Sequence, residues 1–150
     1  MDPSLLKLLI EQACERRDEA ASRAAEARRE RDAAAATLRT LTDYREESLT
    51  RAPLRAGTAV GIAQLATATH FDARLVAAIH EQYGRHAQRD ADASARDETL
   101  RERQRRLKAL QTLQERRARQ AERSAAQREQ RALDEYANQL SARGRAAKER

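Results

Sequence analysis

The sequence predicts an all-α fold, a long antiparallel two-helix coiled-coil hairpin with an extended C-terminal helix. Three observations predict it. Ala, Glu, Lys, Leu and Arg make up 94 of the 150 residues, where about half already points to long helices. Only 4 Gly and 2 Pro interrupt the chain. Apolar residues recur at alternating spacings of three and four, the mark of a helical seam. A thick core is excluded. Leu, Ile, Val and Phe number 22, and 33 of the 60 hydrophobic residues are alanine. Aromatics are only one Phe and three Tyr. The chain is read as a single coiled-coil unit over residues 1–150.

The first helix is expected over about residues 4–50, with Ser4 as its N-cap. Its seam runs Leu6, Ile10, Ala13, Arg17, Ala20, Ala24, Ala27, Arg31, Ala34, Leu38, Leu41. Two arginines interrupt it, but a long Arg stem can lie along an apolar groove with its head in water. Pro53 disfavours helix at Ala52, so a turn region is expected at about 52–61, with Gly57 and Gly61 in it. Ile62 to Thr69 reads as a short helix. A second long pattern runs from Phe71 to about Arg143 through Leu75, Ile79, Ala93, Leu100, Leu107, Leu110, Ala121, Ala125, Leu133, Tyr136 and Leu140. Helix two is thus expected from residue 62 or 71 to about 143. Gly84 is a soft spot, and Gly144 is the expected stop.

Residue sizes fit a fold-back. With the apex near residue 60, position i faces about 120 − i. Leu6, Leu9 and Ile10 then face Leu107, Leu110 and Leu113. The alanines of 20–36 face Ala87, Ala91, Ala93 and Ala95, and Leu38 and Leu41 face Ile79 and Leu75. At roughly 25 cal/mol per Å² of apolar area, the alanine middle is weakly held. Residues from about 116 onward have no partner in this arithmetic. They keep a stripe of Ala118, Ala121, Ala125, Leu133, Tyr136 and Leu140, which suits docking on another surface.

Charge is uneven. The net charge is +6, and residues 101–150 carry 15 basic and 7 acidic groups. The basic groups alternate with Glu and Gln, and Tyr136 is the one aromatic there, so no specific nucleic-acid contact is expected. No catalytic residue, cofactor or metal site is expected, and no enzyme. His80 and His86 are six apart and diverge on a helix, so His70, His80 and His86 read as solvent-facing. Gly57-Thr-Ala-Val-Gly61 lacks the Lys-Ser/Thr of a phosphate loop. Cys14 is the sole cysteine, so no internal disulfide can form; a small half-buried role suits it. No run reaches 18 apolar residues, and the first residues do not read as a secretory signal. A cytoplasmic location is the expectation.

The apex carries the most informative local feature. Leu41, Tyr44 and Leu49 approach it, while Phe71, Leu75 and Ala78 leave it on one face at spacings of four and three. Packing of the hairpin accounts for Leu41, Leu75 and Ile79. Tyr44 and Phe71 stand between packing and an exposed contact.

Four segments in order resemble the flagellar export protein FliJ family. They are Leu38-Arg-Thr-Leu-Thr-Asp-Tyr44-Arg45-Glu46, Phe71-Asp-Ala-Arg-Leu75-Val-Ala-Ala-Ile79, Arg106 to Arg117 with Leu107, Leu110 and Leu113, and Gln130-Arg-Ala-Leu133-Asp134-Glu135-Tyr136-Ala137. Ser48 stands where such proteins often have a second aromatic, and Gln82 where a His can occur. The resemblance implies a non-enzymatic stalk of the flagellar type III export apparatus. Its implied partners are the hexameric export ATPase, the membrane export gate protein FlhA and export chaperones. It implies a place at the cytoplasmic face of the inner membrane. The implied gate contact falls on Leu41, Tyr44, Phe71, Leu75 and Ala78. The ATPase contact is expected at Leu6, Ile10, Leu133, Tyr136 and Leu140. A generic basic coiled-coil binder of nucleic acid or secretion cargo is the alternative reading.

Overall fold

Asp2, not Ser4, caps the first helix. In the computed structural model, which describes residues 2–56 and 61–148, α1 spans Pro3–Ala56 and α2 spans Ile62–Lys148. The Asp2 carboxylate accepts the Ser4 backbone N–H at 3.2 Å, and the Asp2 carbonyl accepts the Leu6 N–H at 3.1 Å. Pro3 then occupies the first helical position, where its fixed φ suits the helix and its missing N–H costs nothing. Gly61 plays the matching part for α2, its carbonyl accepting the N–H groups of Gln64 (3.0 Å) and Leu65 (3.2 Å).

Both helices outrun their expected ends. α1 passes Thr50 and Pro53 and continues to Ala56. Pro53 lies one turn from the end, so it forfeits one helical hydrogen bond where helices fray anyway. Of the turn expected at 52–61, residues 52–56 are helical and 57–60 lie outside the described residues. Ile62–Thr69 is continuous with the long second helix rather than a separate piece. α2 also passes the expected stop at Gly144. Glycine ends a helix by turning left-handed, and no described glycine has positive φ.

There is no strand among the described residues, and the fold is an all-α helical hairpin. Its contacts divide it into two units, Cys14–Gln104 and Met1–Ala13 with Arg105–Arg150. In the first, the α1 seam is Arg17, Ala20, Ala24, Ala27, Arg31, Ala34, Leu38 and Leu41, and all eight are buried or half-buried. Ala24 is wholly inaccessible, and Leu75 and Ala93 are buried on α2. Arg17 lies along the seam, its Nε 2.7 Å from Asp18 Oδ1.

Polar bridges across this unit fix direction and register. Arg28 donates to Asp97 from Nε and Nη2 along one guanidinium edge, with Nε to Oδ2 at 3.3 Å. Arg89 Nη1 donates to Glu30 Oε2 at 2.6 Å. Gln82 Nε2 donates to the Ala34 carbonyl at 3.2 Å. Arg45 reaches Asp72 at 3.0 and 3.3 Å. As α1 numbers rise their partners fall, so the helices run antiparallel. Each partner lies within about a turn and a half of the reflection i to 120 − i.

In the second unit, Leu6, Ala13 and Leu107 are buried, and Leu9, Ile10, Leu110 and Leu113 are half-buried. These are the leucine zones that the residue sizes match. Every described side chain from 118 to 145 is exposed. At 1.5 Å per residue, the stretch from 118 to 145 runs about 40 Å with no covered face.

Two outcomes follow from this packing. Ala24→Asp places a charge in the closed seam and costs about 2 kcal/mol or more. Ala36→Asp, at an exposed position, costs under about 1 kcal/mol. Thermal melts by circular dichroism separate the two, and equal losses refute a close-packed seam. The second concerns pH. Hydrogen bonding to Arg28 holds the Asp97 carboxyl below its ordinary 3.8, partly offset by desolvation. A depressed folded value means that the stabilisation is complete above the ordinary value and fades as pH falls below it. The melting temperature therefore drops more steeply below about pH 4 in the native chain than in Asp97→Asn. Parallel acid limbs refute this.

Candidate functional site

Helix pairing through small residues leaves large side chains on the flanks. Tyr44 precedes Arg45 on α1, and Phe71 precedes Asp72 on α2. The Arg45–Asp72 ion pair lies on the seam side of each helix and sets the two stretches opposite one another. One residue back, the aromatic rings meet edge to face, with centroids 6.2 Å apart and planes at 77°. This geometry suits the ring quadrupoles and stabilises by about 0.5–1.5 kcal/mol beyond area burial.

Packing and exposure coexist there. Tyr44 is 52% exposed and Phe71 is 46% exposed, although the rings touch. Leu41 is half-buried, Leu75 retains only 9% exposure, and Ala78 is exposed. Leu75 thus belongs to the helix pairing, and Tyr44, Phe71 and Ala78 are the presented members of the five.

The opposite flank also carries apolar groups, where Leu49 of the apex cluster is joined by residues that the seam pattern alone does not single out. Leu49, Val76 and Tyr83 are exposed, as are Ile62 and Leu65 at the start of α2. Thr42, Arg45, Glu46, Leu49, Thr50 and Ile79 line a shallow cavity of about 450 Å³ on this side. The missed signal was angular. Once 72, 75, 79 and 82 are taken as the α2 seam, 76 and 83 fall on one shoulder and 71 and 78 on the other.

In the second unit, Leu6 is buried and Ile10 half-buried, while Leu133, Tyr136 and Leu140 are exposed on one helical face. Gln130 Nε2 donates to Asp134 Oδ1 at 3.0 Å beside that face.

His70 and His80 face solvent, but His86 is half-buried at a seam position of α2. Cys14 is free and half-buried. No group of three His, Cys, Asp or Glu side chains that could hold a metal occurs among the described residues. No described helix is long and apolar enough to cross a membrane.

A family profile described as "Flagellar FliJ protein" matches residues 3–146. No curated protein and no solved structure matches the chain. A match over nearly the whole length, on a helical hairpin with the four quoted segments in order, decides the matter: this chain belongs to the flagellar FliJ protein family.

Proposed function

We propose that this protein is a non-enzymatic stalk of the flagellar type III export apparatus, coupling the hexameric export ATPase to the membrane export gate. Membership of the family supports a role in flagellar export. The observation that carries the finer reading is the Tyr44–Phe71 pair. It brings two of the chain's four aromatics together across the two helices and leaves both about half exposed.

Aromatic rings presented on a polar helical surface are costly in water and favourable in an interface, where they fill pockets with few rotamers to freeze. Leu75 and the Arg45–Asp72 pair sit behind them and fix their direction. The gate protein is the partner we assign to this surface, with Ala78 as the flat residue beside it. The exposed face of Leu133, Tyr136 and Leu140 is assigned to the ATPase, with Leu6 and Ile10 holding the paired end of the same unit. A helix with no covered face is free to be covered by a partner. On this reading the protein works at the cytoplasmic face of the inner membrane as a peripheral component, and export chaperones are further partners.

Tyr44→Ala combined with Phe71→Ala should leave helicity unchanged, because neither ring is buried. It should weaken gate binding at least tenfold and reduce swimming; normal motility of the double variant rejects the assignment. Truncation after Leu113 removes the exposed helix and keeps the buried Leu6 and Leu107. It should reduce capture of the export ATPase in a pulldown, and undiminished capture places that contact elsewhere.

A further inference from the structure

In the unit of Cys14–Gln104, one flank of the helix pair is arginine-lined. A groove of about 190 Å³ is lined by Arg16, Arg23, Arg96 and Arg103, with the buried Ala20 and the exposed Thr99 between them. Glu19 is the only carboxylate on its wall, and it is held by Arg23 at 2.5 Å. Arg96 has a looser partner, Asp92 at 3.6 Å. Arg16 and Arg103 pair with no carboxylate among the described residues, and Arg103 is half-buried. Elsewhere in the unit the cross-helix arginines 28, 45 and 89 each have an acid. Two arginines without a carboxylate partner beside two paired ones leave the groove with an excess of positive charge.

The spacing defines what completes it. Arg16 and Arg23 are seven residues apart on α1, and Arg96 and Arg103 are seven apart on α2. With the helices antiparallel, Arg16 stands across from Arg103 and Arg23 across from Arg96. The result is two rungs about 10 Å apart, one heptad along the axis. A third helix laid in the groove repeats at the same pitch, so carboxylates seven residues apart on one of its faces meet both rungs at once. Guanidinium groups bind carboxylates bidentately, which gives direction as well as charge. Nucleic acid fits less well, because Glu19 repels phosphate and no aromatic lines the groove for base stacking.

We propose that this groove is a docking site for an acidic helix of a protein partner, carrying Glu or Asp at heptad spacing along one face. The site shares no residue with the Tyr44–Phe71 pair or with Leu133, Tyr136 and Leu140, and does not depend on their assignment. The probe is a synthetic Ala/Gln-based helical peptide of about four heptads with one Glu per heptad on one face. Its control has the same composition with the glutamates spread around the helix. Fluorescence anisotropy on the full chain should show at least tenfold tighter binding of the patterned peptide, weakening as salt rises. Arg16→Gln with Arg103→Gln should remove most of that preference at unchanged helicity. Arg128→Gln with Arg131→Gln, an equal loss of charge on the exposed helix, should leave it intact. Equal binding of both peptides, equal effects of both double variants, or no measurable binding overturns the proposal. Tighter binding of a single-stranded oligonucleotide, lost with Arg16 and Arg103, also overturns it in favour of nucleic acid.

Discussion

The seam of alanines is the constraint on which the rest depends. Ala20, Ala24 and Ala27 are closed off by α2, and Ala93 is closed off in return. Alanine brings helices close but removes little apolar area from water, so this interface holds its partners tightly spaced and only modestly stabilised. Small side chains also specify register poorly, since one methyl resembles the next. Register therefore rests on directional groups beside the seam: Arg28 with Asp97, Glu30 with Arg89, Arg45 with Asp72, and Gln82 on the Ala34 carbonyl. These exposed pairs contribute little stability each, but a slip of one turn breaks all of them together.

A narrow seam has a second consequence. It covers only a strip of each helix, so any large apolar residue on a shoulder stays in water. Tyr44 and Phe71 occupy one shoulder, and Leu49, Val76 and Tyr83 the other. In a thick core these residues would report packing. Here the fold has no place to bury them, so their exposure is built into the architecture and does not signal a poorly formed core. That makes the aromatic pair informative. The edge-to-face contact fixes two rings in a known orientation while leaving their outer surfaces uncovered.

Much of this was legible in the sequence, because a heptad seam is a one-dimensional pattern. All eleven α1 seam positions from Leu6 to Leu41 are buried or half-buried, the two arginines included. The fold-back was legible from residue sizes. The ends were not. Ser4 looked like a cap because its hydroxyl suits the role, but Asp2 followed by Pro3 makes a better start, and the structure uses it. Pro53 and Gly144 looked like stops, yet near a helix end each forfeits too little to decide the matter. On α2 the polar seam members Asp72, Gln82 and His86 were invisible to a reading that counted apolar residues, and with them the shoulders were lost. The aromatic site was found because both its members are large and rare. The arginine groove was not, because four arginines among 27 stand out only when two helices align them.

That last point bears on how such a chain recognises anything. With 36% of residues charged and both signs balanced over Cys14–Gln104, the surface of that unit averages to little over distances beyond a Debye length. Selectivity has to come from local departures from that average. An unpaired rung of guanidinium groups is one kind of departure, and a pair of uncovered aromatic rings is another. The first attracts over several ångströms and is weakened by salt; the second acts on contact and is not. A partner that must approach in one orientation and then remain gains from meeting both kinds, and the antiparallel pairing of these helices supplies both in the same unit.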